Sequence, residues 1–246
     1  MKQPVNRTAG WEDSMRTQWR NDEELFALSK TELFTAVVGD ILDKMGLVKQ
    51  FLPSHIKPLN PKMIVVGRAM PVLEADCLET GGDYESQSGF SRRPFGYMLD
   101  ALDDLKPGEV YVCAGASPNY ALWGGLMTTR ARHLRAAGAV LDGYWRDTNQ
   151  VAALGFPCFG MGAYAQDQAP RGRVVDWRVP VDIAGVRIEP GDLIFGDLDG
   201  VLAVPKVAVD EAFSLAVEKA RGEKKVAEAI NAGMSAREAF DTFGIL

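Results

Sequence analysis

Between Asp22 and Lys44 the apolar residues Leu25, Leu28, Leu33, Val37, Ile41 and Leu42 recur at near-helical spacing. Gly46 ends the pattern, so one long amphipathic helix is expected there. A Pro-marked loop spans 51–61. From Met63 the period changes: MIVVGRAMPVLEA reads as a strand with a glycine interruption. The segment 81–93, GGDYESQSGFSRR, is polar and Gly-rich and reads as a mobile loop or lid. A short helix over 94–102 leads to LKPGEVYVCAG, a turn followed by a buried strand at 109–114. Next come a helix over 124–137, a buried strand AVLDGYW at 139–145 and a third strand within FPCFGMG at 156–162. GRVVDWRVPVDI and VRIEPGDLIFGDLDGVLAVP read as strands separated by turn chemistry at Pro190-Gly191 and Asp199-Gly200. Asp210 to Ala232 is an amphipathic helix stopped by Gly233. A last helix opens at the capping box formed by Ser235 and Glu238. Strands covered by helices, with no repeat and no linker, predict a single α/β domain over 22–246. Residues 1–21 read as an N-terminal extension, an arm laid on a neighbouring subunit.

Composition narrows the function classes. The chain has 246 residues, 47% hydrophobic and 24% charged, enough to bury a substantial core. A formal net charge of −6 argues against a general nucleic-acid binder, so no nucleic-acid partner is expected. The three cysteines, Cys77, Cys113 and Cys158, form no CxxC and read as small buried hydrophobes in a reducing compartment. The N-terminus has no signal-like apolar core, and no stretch approaches the roughly 20 apolar residues that span a bilayer. A cytoplasmic protein without a membrane partner is therefore expected. No P-loop, no GxGxxG after a strand and no GxSxG occurs, which leaves nucleotide, dinucleotide and serine-hydrolase readings without support.

The chemistry gathers where strand, helix and strand meet. In a β-α-β unit the connecting helix runs antiparallel to its strands. About 14 helical residues span roughly 20 Å, and seven strand residues roughly 23 Å. The turn Gly124-Gly125-Leu126-Met127 is thus expected beside Arg146-Asp147. A Gly-Gly helix start exposes backbone N–H groups at the positive end of the helix dipole, suited to a carboxylate or enolate oxygen. The same glycines also suit tight packing alone. Arg146 offers a planar fork for a carboxylate, and Asp147 a hard oxygen for Mg²⁺ or Mn²⁺. A surface ion pair is the plainer reading of those two residues. His55, in a Pro-flanked loop, and His133, among Arg130, Arg132 and Arg135, read as structural or surface residues. Arg92 and Arg93 follow the polar loop and are placed to reach an acidic substrate. Asp40 lies on a helix face, and Asp197 and Asp199 fit turn chemistry.

The run ALWGGLMTTRARHLRAAGAVLDGYWRD at 121–147 resembles the core of the RraA-like family. That family includes class II 4-hydroxy-4-methyl-2-oxoglutarate/4-carboxy-4-hydroxy-2-oxoadipate aldolases and the regulator of ribonuclease E activity. TAVVGDILDKMG, PGEVYVCAG, RDTNQVAALGFPCF and PGDLIFGDLDGVLAVP support the likeness in order, across about 30–240, as does Glu223 ten residues before Gly233. The resemblance implies a swivelling β/β/α fold, assembled as a homotrimer or a dimer of trimers with active sites between subunits. It implies that Asp147 binds the divalent metal, Mg²⁺ or Mn²⁺. Arg146 and the backbone N–H groups of Leu126 and Met127 would hold a pyruvate unit, and Glu223 would reach into a neighbour's site. Two positions depart from the family pattern. Gly125 stands where Asp or Glu is common, and Gln150 replaces a commonly acidic residue. The expected activity is a metal-dependent lyase cleaving a 4-hydroxy-2-oxo acid to pyruvate and a carbonyl compound, with oxaloacetate decarboxylation alongside. A non-enzymatic ribonuclease- or protein-binding regulator and a dehydratase or lyase on a sugar acid are the alternatives.

Overall fold

A computed structural model describes residues 18–77 and 95–244. In chain order the elements are α1 (Asp22–Glu32), α2 (Thr35–Lys44), β1 (Lys57–Pro58), β2 (Val65–Asp76), α3 (Met98–Asp103), β3 (Glu109–Ala114), β4 (Ala121–Trp123), α4 (Gly125–His133), β5 (Gly138–Leu141), β6 (Tyr144–Trp145), α5 (Thr148–Ala153), β7 (Cys158–Gly160), β8 (Gly172–Trp177), β9 (Val181–Ile183), β10 (Val186–Ile188), β11 (Leu193–Gly196), β12 (Val201–Val204), α6 (Val209–Asn231) and α7 (Ala236–Phe243).

The main sheet runs β1-β7-β5-β3-β2-β11-β12. Its centre, β7-β5-β3-β2, is parallel, and β1, β11 and β12 join antiparallel. The long β2 is its hub: Val65 to Arg68 pair with β11, and Val72 to Asp76 pair with β8 along the same edge. The sheet curls until its ends nearly meet, because residues 50–52 lie against β12 through Leu52 N–H to Val201 O at 2.8 Å and Ala203 N–H to Gln50 O at 2.9 Å.

Side-chain alternation supplies apolar groups to both faces of the curled sheet. Strand residues point alternately to opposite faces. On β3, Val110, Val112 and Ala114 enter the interior with Val140, Phe159 and Ile194, closed below by the β9–β10 hairpin residues Ile183 and Val186. Tyr111 and Cys113 face outward into a layer with Ala139, Leu141, Trp123 and Val151, beneath α3, α4 and α5. On β11, Leu193 and Phe195 face outward into a second layer with Val37, Leu42 and Phe213, beneath α1, α2 and α6. Sheet buried on both faces reads in sequence as a nearly continuous apolar run.

Four expected elements differ from the structure. The single helix over 22–44 is two helices, broken at Leu33 and Phe34. The side chain of Asp197, far along the chain, accepts from Thr35 N–H and Thr35 Oγ1, both at 2.7 Å, and so caps α2. The helix over 124–137 ends at His133. The strand over 139–145 breaks at Asp142 and Gly143 into β5 and β6, and β6 leaves the main sheet to pair with the short β4. The short helix starts at Met98 rather than 94. The glycine interruption is explained: a side chain on Gly67 would land on Gly108 O of the neighbouring turn. The proposed lid at 81–93, Arg92, Arg93 and most of the N-terminal arm lie outside the described residues. Cys113 and Cys158 are buried and Cys77 is half-buried. Among the described residues no helix is long and apolar enough to cross a membrane.

Phe159 fills the sheet interior and is fully buried. Phe159→Ala is expected to cost about 3–5 kcal/mol of stability, read as a lower denaturation midpoint at unchanged slope in urea.

Candidate active site

The pairing of β4 with β6 brings distant residues together. Trp123 pairs with Trp145, and Arg146 N–H donates to Trp123 O at 2.9 Å. The next residue on each strand opens the site: Gly124 is the N-cap of α4, and Arg146-Asp147 turns into α5. Asp147 sits in the left-handed region at φ 55°, ψ 38°, a conformation that Asp and Asn tolerate better than other residues with side chains. Its Oδ2 accepts the Gly125 N–H at 2.9 Å. The carboxylate therefore caps α4 from another element, and the helix dipole favours its charge.

Gly124 is required by this contact. A Cβ there would lie 2.8 Å from Asp147 Oδ2 and 3.3 Å from Arg146 Cγ. Thr128 is the first residue of α4 whose N–H reaches an intrahelical acceptor, Gly124 O at 3.0 Å. Leu126 and Met127 thus carry the N–H groups left over at any helix start. Leu126 itself is 85% exposed. Below, Trp123 Nε1 donates to Thr128 Oγ1 at 2.7 Å, and Thr128 Oγ1 donates to Gly124 O at 3.0 Å, locking the helix start against the buried Trp123 ring.

These groups share a cavity of about 380 Å³ with α3, in the range of small-molecule sites. Gly124, Leu126, Met127, Arg146 and Asp147 all line it. Arg146 Nε is 3.9 Å from Asp147 Oδ2, and Arg146 Nη1 is 3.1 Å from Asp167 Oδ1. Asp167 was not foreseen from the sequence. It lies in the loop after β7, which is laced to β4 and β6 by Ala121 N–H to Gln166 O and Tyr164 N–H to Trp145 O, both at 2.8 Å. The neighbouring Gln168 donates from Nε2 to the buried Glu74 Oε1 at 2.6 Å.

Gly125 and Gln150 face each other. A side chain at 125 would land on Gln150 Oε1, with Gln150 Cβ 3.3 Å away. Glu223 stands apart within one chain. It pairs with Lys219 at 3.4 Å on α6, Lys219 also bonds Asp40, and neither lines the cavity. His55 and His133 are exposed. Asp197 is spent on α2 and on its own turn, accepting Asp199 N–H at 2.9 Å.

Asp147 is a hard oxygen donor with 39% side-chain exposure at the cavity. Among the described residues there is no group of three or more His, Cys, Asp or Glu able to enclose a metal. The donor set therefore fits a hard divalent cation held by one carboxylate and completed by water and substrate, the habit of Mg²⁺. It does not fit a closed structural metal site.

Curled sheet, glycine helix start and Arg-Asp strand end together define an α/β protein whose polar site is an arginine and a carboxylate gathered at a helix N-terminus. The RraA-like family model, Aldolase/RraA, matches residues 35–203, and the chain belongs to this family. A protein from Halalkalibacterium halodurans named "Putative 4-hydroxy-4-methyl-2-oxoglutarate aldolase" is 33% identical over 207 residues, covering 84% of this chain and 89% of that protein. The structure of an uncharacterized Pseudomonas syringae protein matches at TM-score 0.75 and 28% identity, over 89% of this chain and 94% of its own. Streptomyces coelicolor RraAS2, described as an unusual member of the RNase ES inhibitor RraA protein family, shares the fold at TM-score 0.69 and 23% identity, over 84% and 96% of the two chains. The swivelling β/β/α domain expected from the sequence is thus the observed fold.

Glu74 yields a pH prediction. Burial pushes its carboxyl up to about 8; the Gln168 hydrogen bond opposes this and the charge of Asp76 adds to it. The folded chain keeps this proton where the unfolded chain has lost it, so stability falls as pH rises from about 4.5 to about 8. Glu74→Gln is expected to flatten the decline in Tm between pH 5 and pH 8.5, measured by thermal melts across that range.

Proposed function

We propose that the protein is a divalent-metal-dependent carbon–carbon lyase that cleaves a 4-hydroxy-2-oxo acid into pyruvate and a carbonyl compound. The observation that carries this reading is the Asp147 carboxylate seated on the Gly125 N–H with Arg146 beside it, both side chains lining one cavity. The aldolase name borne by the Halalkalibacterium relative supports it.

Each group has a task. Arg146, steadied by Asp167, grips the substrate carboxylate with a fork that stays charged at any working pH. The free N–H groups of Leu126 and Met127 face the charge that develops on the pyruvate half as the C3–C4 bond breaks. Asp147 holds the cation, Mg²⁺ or Mn²⁺, as its one protein carboxylate. That ion, when bound, supplies Lewis-acid stabilisation at the 2-oxo oxygen. Electrons of the C3–C4 bond pass into the pyruvate half, the C4 hydroxyl loses its proton to solvent, and C3 takes a proton from solvent. Solvent fills the role of base because Gly125 carries no carboxylate. Oxaloacetate decarboxylation needs no proton taken from a hydroxyl and belongs to the same site. In a homotrimer or dimer of trimers, Glu223 of a neighbouring subunit would complete it.

Pyruvate release from oxaloacetate and 4-hydroxy-4-methyl-2-oxoglutarate, followed with Mg²⁺ or with EDTA, tests the proposal. Asp147→Asn keeps the left-handed backbone and an acceptor for Gly125 N–H but removes the charge. Its turnover should drop about 100-fold or more with little change in Tm. Turnover indifferent to EDTA, or absent from both of these and from alkyl-tailed 4-hydroxy-2-oxo acids, would refute the lyase. One observation favours a second reading: neither Gly125 nor Gln150 supplies a carboxylate at the helix start. On that reading the chain is a non-enzymatic regulator, which would bind its ribonuclease or other protein partner equally well in EDTA.

A further inference from the structure

We infer that the part of the substrate beyond the 2-oxo acid head is apolar and uncharged. The inference rests on the lyase reading only for the identity of that head. The cavity is far roomier than a three-carbon acid requires, at about 380 Å³. Gly124, Arg146, Asp147 and Asp167 gather at one end, where Arg146 contacts both carboxylates. The other end is walled by Phe95, Met98, Leu99 and Leu102 of the α3 region, with Leu122 and Met127 opposite.

Charge on that wall is already spoken for. Arg130 is the second cation lining the cavity among the described residues, and its Nε is held by Asp103 Oδ1 at 2.7 Å. Arg146 is shared with Asp167. A second substrate carboxylate lying along α3 would meet leucine and methionine side chains, and the cation lining that stretch among the described residues, Arg130, is already paired with Asp103. Burying an unpaired carboxylate is strongly unfavourable. An alkyl or aryl group there gains about fourfold in affinity for each methylene buried. Oxaloacetate is an exception in turnover rather than in binding, because its second carboxylate leaves as CO₂ when the C3–C4 bond breaks.

Calorimetry with Mg²⁺ present, using pyruvate, 2-oxooctanoate and 2-oxoglutarate as probes, separates this inference from the lyase reading. The expected result is that 2-oxooctanoate binds more than tenfold tighter than 2-oxoglutarate. Leu99, 57% exposed on the wall, offers a variant that keeps the fold: Leu99→Arg should narrow or invert that preference. Pyruvate release should likewise favour 4-hydroxy-2-oxo acids with alkyl tails over 4-hydroxy-4-methyl-2-oxoglutarate. Equal or tighter binding of 2-oxoglutarate overturns the inference, even where the protein proves to be an aldolase. The tail preference without cleavage of any substrate upholds it and refutes the lyase.

Discussion

The site depends on one hydrogen bond, from Gly125 N–H to Asp147 Oδ2 at 2.9 Å. It joins the start of a helix to the end of a strand that precedes a different helix, and each partner is shaped for it. Gly124 has no side chain because the carboxylate and Arg146 occupy that space. Asp147 accepts a left-handed backbone so that its side chain turns back onto α4. The parallel pairing of β4 with β6 sets the spacing, and Trp123, fixed through Thr128, anchors it to the outer core layer. The charge is favoured by the helix that it caps. A carboxylate so placed is both a structural cap and an exposed hard oxygen, which ties the integrity of the turn to any chemistry performed there.

Much of this arrangement is legible in the sequence. Apolar runs bounded by turn residues mark the strands, and chain reversal through α4 is enough to place Gly124-Gly125 beside Arg146-Asp147. The expected route was a continuous strand over 139–145; the actual route is a break at Gly143 and a small separate sheet. The two routes end at the same juxtaposition because both return the chain to the N-terminus of α4. What stayed hidden shares one physical cause, dependence on partners remote in sequence. The break between α1 and α2 is stabilised by Asp197, while the apolar pattern runs through it because both helices bury one face on the same layer. Three-residue β4 has no period to read. Asp167 sits in an irregular loop, and nothing local marks it as the partner of Arg146.

The loop carrying Asp167 links the site to the core. Gln168 bonds the buried Glu74 at the register shift of β2, and the same loop bonds β4 and β6. Arg146 is thus oriented by a residue whose own position is fixed by a buried carboxyl with a raised pKa. Neutral, Glu74 sits in the core at little cost. Ionised, it carries a buried charge beside Asp76, a cost that the Gln168 hydrogen bond offsets only in part.

Gly125 and Gln150 are best understood as one feature. Read separately, each is a missing carboxylate. In three dimensions the Gln150 side chain occupies the ground that a side chain at 125 would take, with its amide oxygen at the point of collision. The space beside Gly125 is therefore filled by a neutral amide, and a carboxylate at 125 would first require Gln150 to swing away. A neutral neighbour leaves Asp147 as the carboxylate that caps this helix start among the described residues. It adds no repulsion to an enolate developing there, and it offers no base to a substrate hydroxyl. On the lyase reading, the balance tilts the site toward decarboxylation, which needs no base on a substrate hydroxyl.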